Sequence, residues 1–266
     1  MTFDEYLALD RVNWTLLKEM RRSPLQFDFR RHNPREDTKR LAGGRATHTA
    51  ILEPDRFLLD YALWTGDRRA GKEWDKFCAA HPGRTILKAD DYASALGQRD
   101  AVRAHPAASA LLRVGRPEET ILWTDEETGL DCKARLDWLG EALVDVKTTV
   151  DVDASRFGAL AYRYGYHMQI AFYLRGLRAR GMEVPAKIIA VETAEPYEVA
   201  VFALDDDAIW AGDEEVGELL RRVSQCRTAQ AWPVRYPAEE PLRLPSWAFP
   251  DEGAEGLGLI IGGEAA

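Results

Sequence analysis

The stretch Gly129–Thr149, GLDCKARLDWLGEALVDVKTT, decides how this chain is read. In its first half Cys132, Ala134, Leu136 and Trp138 alternate with Asp131, Lys133, Arg135 and Asp137, which predicts a strand with one apolar and one charged face. Leu139-Gly140-Glu141-Ala142 makes a turn. In the second half Leu143, Asp145 and Lys147 share one face, and Ala142, Val144 and Val146 the other. A carboxylate and an ammonium are costly occupants of a strand this apolar unless they answer one another. The hairpin can bring Asp137 near Asp145. Two converging carboxylates beside a lysine make a hard-oxygen site suited to Mg²⁺ or Mn²⁺ and not to zinc. Such a site polarises a phosphoryl oxygen and acidifies a bound water, with Lys147 placed to orient it. A surface hairpin with an ordinary ion pair satisfies the same pattern.

Composition narrows the alternatives. The chain has 266 residues, 46% of them hydrophobic, enough for one large domain or two small ones. Its net charge of −9 repels phosphate, so a nucleic acid has to be met by a locally basic surface. Arg11–Arg45 is such a segment, with ten Lys or Arg against four acids. Within it, Phe27 and Phe29 beside Arg30, Arg31 and His32 read either as a phosphate-tracking face or as a solvated surface. Cys78, Cys132 and Cys226 are odd in number and scattered, which excludes a disulfide framework, a cysteine-only zinc site and a four-cysteine iron–sulfur cluster within one chain. A reducing cytoplasm is the expected setting. Asp4, Glu5 and Asp10 argue against a signal peptide, and no apolar run approaches the roughly 18 residues of a membrane span.

Along the chain, Asn13 is a cap for a helix over 14–22, and Ser23-Pro24 starts another over 25–31. Gly43-Gly44 reads as a break before a helix over 45–52 that carries His48. Residues 53–90 read as irregular apart from a short helix at Trp74 and Phe77 and a brief strand at Ile86-Leu87. A helix over 89–103, capped by Asp90, precedes a further helical piece over 107–114 and a strand over 118–123 that offers Glu118 and Glu119. After the hairpin come a helix from Asp153 or Ser155, the joint Tyr162–Tyr166 and a helix over 167–180. On that last helix Gln169 and Tyr173 are four apart and share a face. Two strands (187–192 and 197–204) and a helix over 206–227 follow. Residues 1–250 read as one α/β domain with a basic helical part over 1–45; 251–266, glycine-rich and acidic, read as a flexible tail.

Taken together, GRATH ending at His48, EETILW from Glu118, CKARLDW around Asp137, VDVKTT from Val144 and YGYHMQIAFY ending at Tyr173 resemble the PD-(D/E)xK nuclease superfamily. The nearer likeness is to its exodeoxyribonuclease VIII, or RecE-type, branch, with lambda exonuclease and the RecB nuclease domain more distant. The resemblance implies a restriction-endonuclease-like core, a central mixed β-sheet flanked by helices. It implies Asp137 and Asp145 as metal-binding acids and Lys147 as the catalytic lysine. His48, Glu118 (with Glu119 as competitor) and the Val146 carbonyl would be further ligands. Gln169 and Tyr173 would form the helix beside the metal, and Arg45 and Thr148 would contact DNA. Leu136 stands where the superfamily name has proline. The implied function is a Mg²⁺-dependent exonuclease, with Mn²⁺ able to substitute, that degrades linear duplex DNA from 5′ ends. It would leave 3′ single strands for an annealing protein in phage-type recombination or repair, and could act as a homo-oligomeric ring. An endonuclease or flap nuclease with the same core, and a non-catalytic DNA-binding module, are the alternatives.

Overall fold

The computed structural model describes residues 1–34, 39–245 and 248. Helix α1 (Phe3–Ala8) starts under a reciprocal cap of Thr2 and Glu5. Asn13 and Ser23 accept backbone N–H bonds at the starts of α2 (Trp14–Leu17) and α3 (Pro24–His32), with a 3₁₀ turn over Lys18–Arg21 between them. The chain continues through α4 (Lys39–Leu52), α5 (Pro54–Asp60), β1 (Tyr61–Trp64), α6 (Lys72–Ala80), β2 (Thr85–Lys88), α7 (Ala89–Ala104) and α8 (Pro106–Leu111). The central strands β3 (Gly115–Thr124), β4 (Asp131–Gly140) and β5 (Leu143–Thr149) follow. Then come α9 (Ala154–Tyr164), α10 (Tyr166–Arg178), β6 (Ala186–Glu192), β7 (Val199–Ala203) and α11 (Asp206–Ala229).

The main sheet runs β3-β4-β5-β6-β7 and is antiparallel except at β5–β6. That parallel pair needs a crossover, which α9 and α10 supply. Helices cover both faces, the arrangement a sheet apolar on both sides requires. On one face Ile121, Cys132, Ala134 and Leu136 pack with Met168, Phe172 and Leu177 of α10, Leu220 and Val223 of α11, and Leu17 and Phe27. On the other, Val144, Val146, Ile189 and Val191 pack with Val102 of α7 and with Ile51 and Leu52 of α4. The mixed α/β core therefore agrees with expectation.

Several local expectations are corrected. Helix α4 runs through Gly43-Gly44 without a break. Two helical glycines cost about 1 kcal/mol each, and burial of Ala46, Ala50, Ile51 and Leu52 outweighs it. In the region 53–90 the short helix at Trp74 and Phe77 and the strand at Ile86-Leu87 are present as expected, but α5 and β1 are additional, and β1 pairs with β2 in a second, parallel two-stranded sheet that the short sequence YALW does not announce. Lys88, not Asp90, stands at the N-cap of α7. Phe27 is fully buried and stacks on Trp232 at 5.3 Å, so it belongs to the core and not to a phosphate-tracking face. Arg31 pairs with Asp10 at 2.9 Å.

The charged face expected of β4 is covered beyond the exposed Asp131. Lys133 is 3% exposed, and its ammonium donates to the carbonyls of Tyr6 at 2.6 Å, Leu7 at 3.3 Å and Leu9 at 2.7 Å. It thus satisfies the open end of α1 and ties the N-terminal segment over β4. Alternation also fails across Asp137: Leu136 joins the core on the α10 face and Trp138 the core on the α7 face. The reason lies in the hairpin. β4 and β5 pair only at Trp138–Val144 and Leu139–Leu143, and beyond them the strands part. The expected tail over 251–266 lies outside the described residues.

Candidate functional site

The parting of β4 from β5 makes the site. With no β4 carbonyl to meet, the Val146 N–H donates to Asp137 Oδ2 at 2.8 Å. That carboxylate also lies 3.5 Å from His48 Nδ1, which α4 brings in from the opposite side. On β5, Asp145 is 1% exposed and Lys147 Nζ stands 2.5 Å from its Oδ2. Gln169 bridges the pair: its amide donates to Asp145 Oδ1 at 3.1 Å and its carbonyl accepts from Lys147 at 3.2 Å. The same amide donates to the Tyr173 hydroxyl at 2.7 Å, one turn further along α10. The Lys147 ammonium also sits 4.8 Å from the Tyr166 ring centroid. Gly165, in left-handed conformation (φ +72°), ends α9 and starts α10, and so sets the direction in which Gln169 and Tyr173 are presented.

The electrostatics follow from burial. Desolvation, reinforced by the Asp145 charge, holds Asp137 well above the usual carboxylate range, against the pull of Lys147 and the Val146 N–H. Burial, then the Lys147 charge, lowers His48 and favours the neutral imidazole that a metal requires. For Lys147 burial works toward the neutral amine, but Asp145 and Asp137 outweigh it and the group is raised, so it remains an ammonium. Burial and the two aspartates raise Tyr173 well above an ordinary phenol, so it stays protonated.

Above these groups lies a cleft of about 1090 Å³, whose walls include Arg45, His48, Glu118, Arg135, Thr148 and Tyr173. Asp137 meets it through His48, and Gln169 through Tyr173. Glu118 stands opposite Asp137 in the β3–β4 register, between the pairs Pro117–Trp138 and Glu119–Leu136. Its φ of +51° is a left-handed conformation that a glutamate adopts at a cost, about 1–3 kcal/mol. Glu118 accepts from Arg135 Nε at 2.5 Å. Glu119 lies 3.4 Å from Arg116 and borders a smaller depression of about 530 Å³, which Glu118 borders as well. Of the two, Glu118 is the one that lines the larger cleft beside His48. Arg135, which alternation alone puts on a generic charged face, also lines the cleft; its place two residues before Asp137 is the signal available in the sequence.

As they stand, among the described residues no three His, Cys, Asp or Glu side chains close around a metal position. Asp145 is turned to Lys147 and Gln169, and Glu118 to Arg135. The donor set nevertheless fits a hard divalent cation in kind: three carboxylates, one neutral imidazole and backbone oxygen. Asp145 Oδ2 supports the fit, since it is solvent-inaccessible and is met among the described residues by the Lys147 ammonium, which leaves it a further acceptor position. Among the described residues no helix is long and apolar enough to cross a membrane.

A mixed five-stranded sheet with buried acids and a lysine on parted strands, faced by a Gln-x-x-x-Tyr helix, defines a domain of the PD-(D/E)xK nuclease superfamily. The chain belongs to the family described as a PDDEXK-like domain of unknown function (DUF3799), whose model matches residues 14–241. Its fold is similar to the crystal structure of a protein described as a putative exonuclease from Eubacterium rectale, with a TM-score of 0.64 and 14% identity over 91% of this chain and 96% of that one. A comparison with curated proteins finds no match.

Proposed function

We propose that this protein is a Mg²⁺-dependent exodeoxyribonuclease acting on the ends of linear duplex DNA, with Mn²⁺ as a substitute. One observation carries the reading: Asp137, Asp145 and Lys147, on strands that part at one point, meet His48 from α4 and Gln169–Tyr173 from α10. His48, Glu118, Asp137 and Asp145, with the Val146 carbonyl, would hold the cation. When bound there it would neutralise charge on a phosphodiester and acidify a coordinated water.

The chain's own groups do the rest. Lys147, kept protonated by the two aspartates, is a fixed positive charge for the developing phosphorane. Gln169 holds its amine against Asp145 and is itself held by Tyr173, which restricts Lys147 to one position. Arg45 and Thr148 line the cleft where a strand would lie. The exonuclease named among similar structures supports end-dependent cleavage, and the resemblance to the RecE-type branch implies that the 5′-ended strand is the one degraded. That polarity leaves a 3′ single strand for an annealing partner, and a homo-oligomeric ring would keep the enzyme on its track.

The test is digestion of 5′- and 3′-end-labelled linear duplex and of relaxed closed circles, in parallel with Mg²⁺, Mn²⁺ and Ca²⁺. Linear duplex should be degraded with Mg²⁺ and Mn²⁺, and barely with Ca²⁺, whose looser shell positions water poorly. Closed circles should survive, and Asp145→Ala and Lys147→Ala should abolish the activity. Cutting of circles would replace the exonuclease reading by an endonuclease. Undiminished activity in both variants would remove the site altogether.

A further inference from the structure

Arg135 has a chemistry that the metal-site reading leaves unused. It lies on β4 two residues before Asp137, roughly 6.6 Å along the strand, and lines the same cleft. Its side chain is 12% exposed, and three features fix it. Nε donates to Glu118 Oε2 at 2.5 Å. The guanidinium carbon stands 5.5 Å from the centroid of the Phe3 ring. Phe3 belongs to α1, which Lys133 ties down through its three carbonyl bonds. Nη1, by contrast, is buried and has no acceptor among the described residues.

A guanidinium held along one edge, stacked on one plane and left with a buried donor is arranged for an acceptor that arrives with a ligand. Its fork of donors matches the oxygens of a phosphate. Glu118 explains why so buried a cation is tolerated without that ligand, since it neutralises the charge through the Nε donor alone.

We propose that Arg135 grips a backbone phosphate of the bound DNA strand, adjacent to the one being cut, with donors that its bond to Glu118 does not use. The inference rests on the nuclease reading above. It makes Arg135 a residue of substrate binding, distinct from the metal-holding set, and gives α1 a purpose: Phe3 is the platform that keeps the guanidinium plane in register with the strand.

The experiment measures binding of a fluorescent linear duplex in Ca²⁺, where cleavage is minimal, over a series of salt concentrations. Mn²⁺ affinity is measured separately by calorimetry in the absence of DNA. Arg135→Gln should weaken DNA binding about tenfold and reduce the slope of log K against log salt by about one, as loss of a single phosphate contact does. Arg135→Lys, which retains the charge without the fork, should keep the slope and lose part of the affinity. Mn²⁺ affinity should change less than about threefold in both, a change under 1 kcal/mol. The assignment is overturned if Arg135→Gln binds DNA with the wild-type salt slope, or if its DNA defect disappears at saturating Ca²⁺, which would make Arg135 only a support for Glu118. Should Arg135→Gln not fold, the Arg135→Lys slope and affinity decide alone: wild-type values for both overturn the proposal. Failure of the wild-type protein to bind duplex with any metal would instead defeat the nuclease reading itself.

Discussion

Substituting Gly212 by alanine tests whether the contact between α10 and α11 positions the site. Gly212 is buried where α11 crosses the start of α10. A Cβ there would lie 2.6 Å from the His167 carbonyl oxygen, 2.8 Å from its carbon and 3.1 Å from the Met168 nitrogen. These are backbone atoms, so no side-chain rotation relieves the clash. Ordinary contact begins near 3.4 Å, so the helices have to separate by about 0.8 Å. Overpacking of this kind costs about 1–3 kcal/mol, and the rigidity of the clashing atoms puts it toward the upper end. Replacing a helical glycine by alanine returns about 1 kcal/mol. The net expectation is a loss of about 1–2 kcal/mol, or roughly 2–4 °C in Tm for a chain of this size.

Gln169 follows Met168, so a shift of that size carried by α10 moves its bonds to Asp145 and Lys147, now 3.1 and 3.2 Å, beyond hydrogen-bonding range. A displacement approaching 1 Å at a positioning group costs on the order of 10²-fold in rate. Gly158→Ala is the matched control. It lies on exposed α9 with nothing within 4 Å of the added Cβ, so it should gain about 0.5–1 kcal/mol and leave cleavage unchanged. Thermal and urea unfolding, with end-labelled duplex cleavage alongside, measure both. If Gly212→Ala is as stable as Gly158→Ala, or cleaves as fast as wild type, the close helix crossing does not position Gln169.

Further tests address the buried charges. Lys147→Met should destabilise by about 3 kcal/mol, because it leaves the Asp145 charge buried and uncompensated; adding Asp145→Asn should recover most of that stability without recovering cleavage, and failure of the rescue in urea titrations would refute the coupling. Asp137→Asn keeps an acceptor for the Val146 N–H while removing a carboxylate that burial and Asp145 disfavour in its ionised form. Without metal this variant should unfold at or above the wild-type temperature, and it should lose the stabilisation of about 1.4 kcal/mol that Mg²⁺ at ten times its dissociation constant gives wild type; an equal Mg²⁺-induced rise in both proteins would place the metal elsewhere. Burial pushes the Cys132 thiol from 9.0 up to about 12. The folded state therefore resists ionisation that the unfolded chain allows, so this contribution is intact below about pH 9 and is lost as pH rises toward 12, about 4 kcal/mol in all. Stability of Cys132→Ala should fall less steeply than wild type between pH 9 and 11, and parallel slopes would contradict it.

Much of this protein is legible without coordinates, because the information is local. Polar side chains just ahead of apolar periodicity announce the caps at Asn13, Ser23, Asp153 and Asp205, and each accepts the expected backbone N–H. The i, i+4 spacing of Gln169 and Tyr173 is sufficient to put them in contact. The two-residue spacing of Asp145 and Lys147 is sufficient for their ion pair. What tertiary structure alone decided depends on neighbours far away in the chain. Whether Lys133 meets water or three carbonyls depends on where residues 6–9 settle, more than a hundred positions earlier. The left-handed Glu118, the orphaned Nη1 of Arg135 and the parting of β4 from β5 are invisible in composition or period. Spacing along the chain determines which face a side chain leaves from; what waits on that face is determined by packing, because desolvation and Coulomb energy depend on distances that only the folded chain sets.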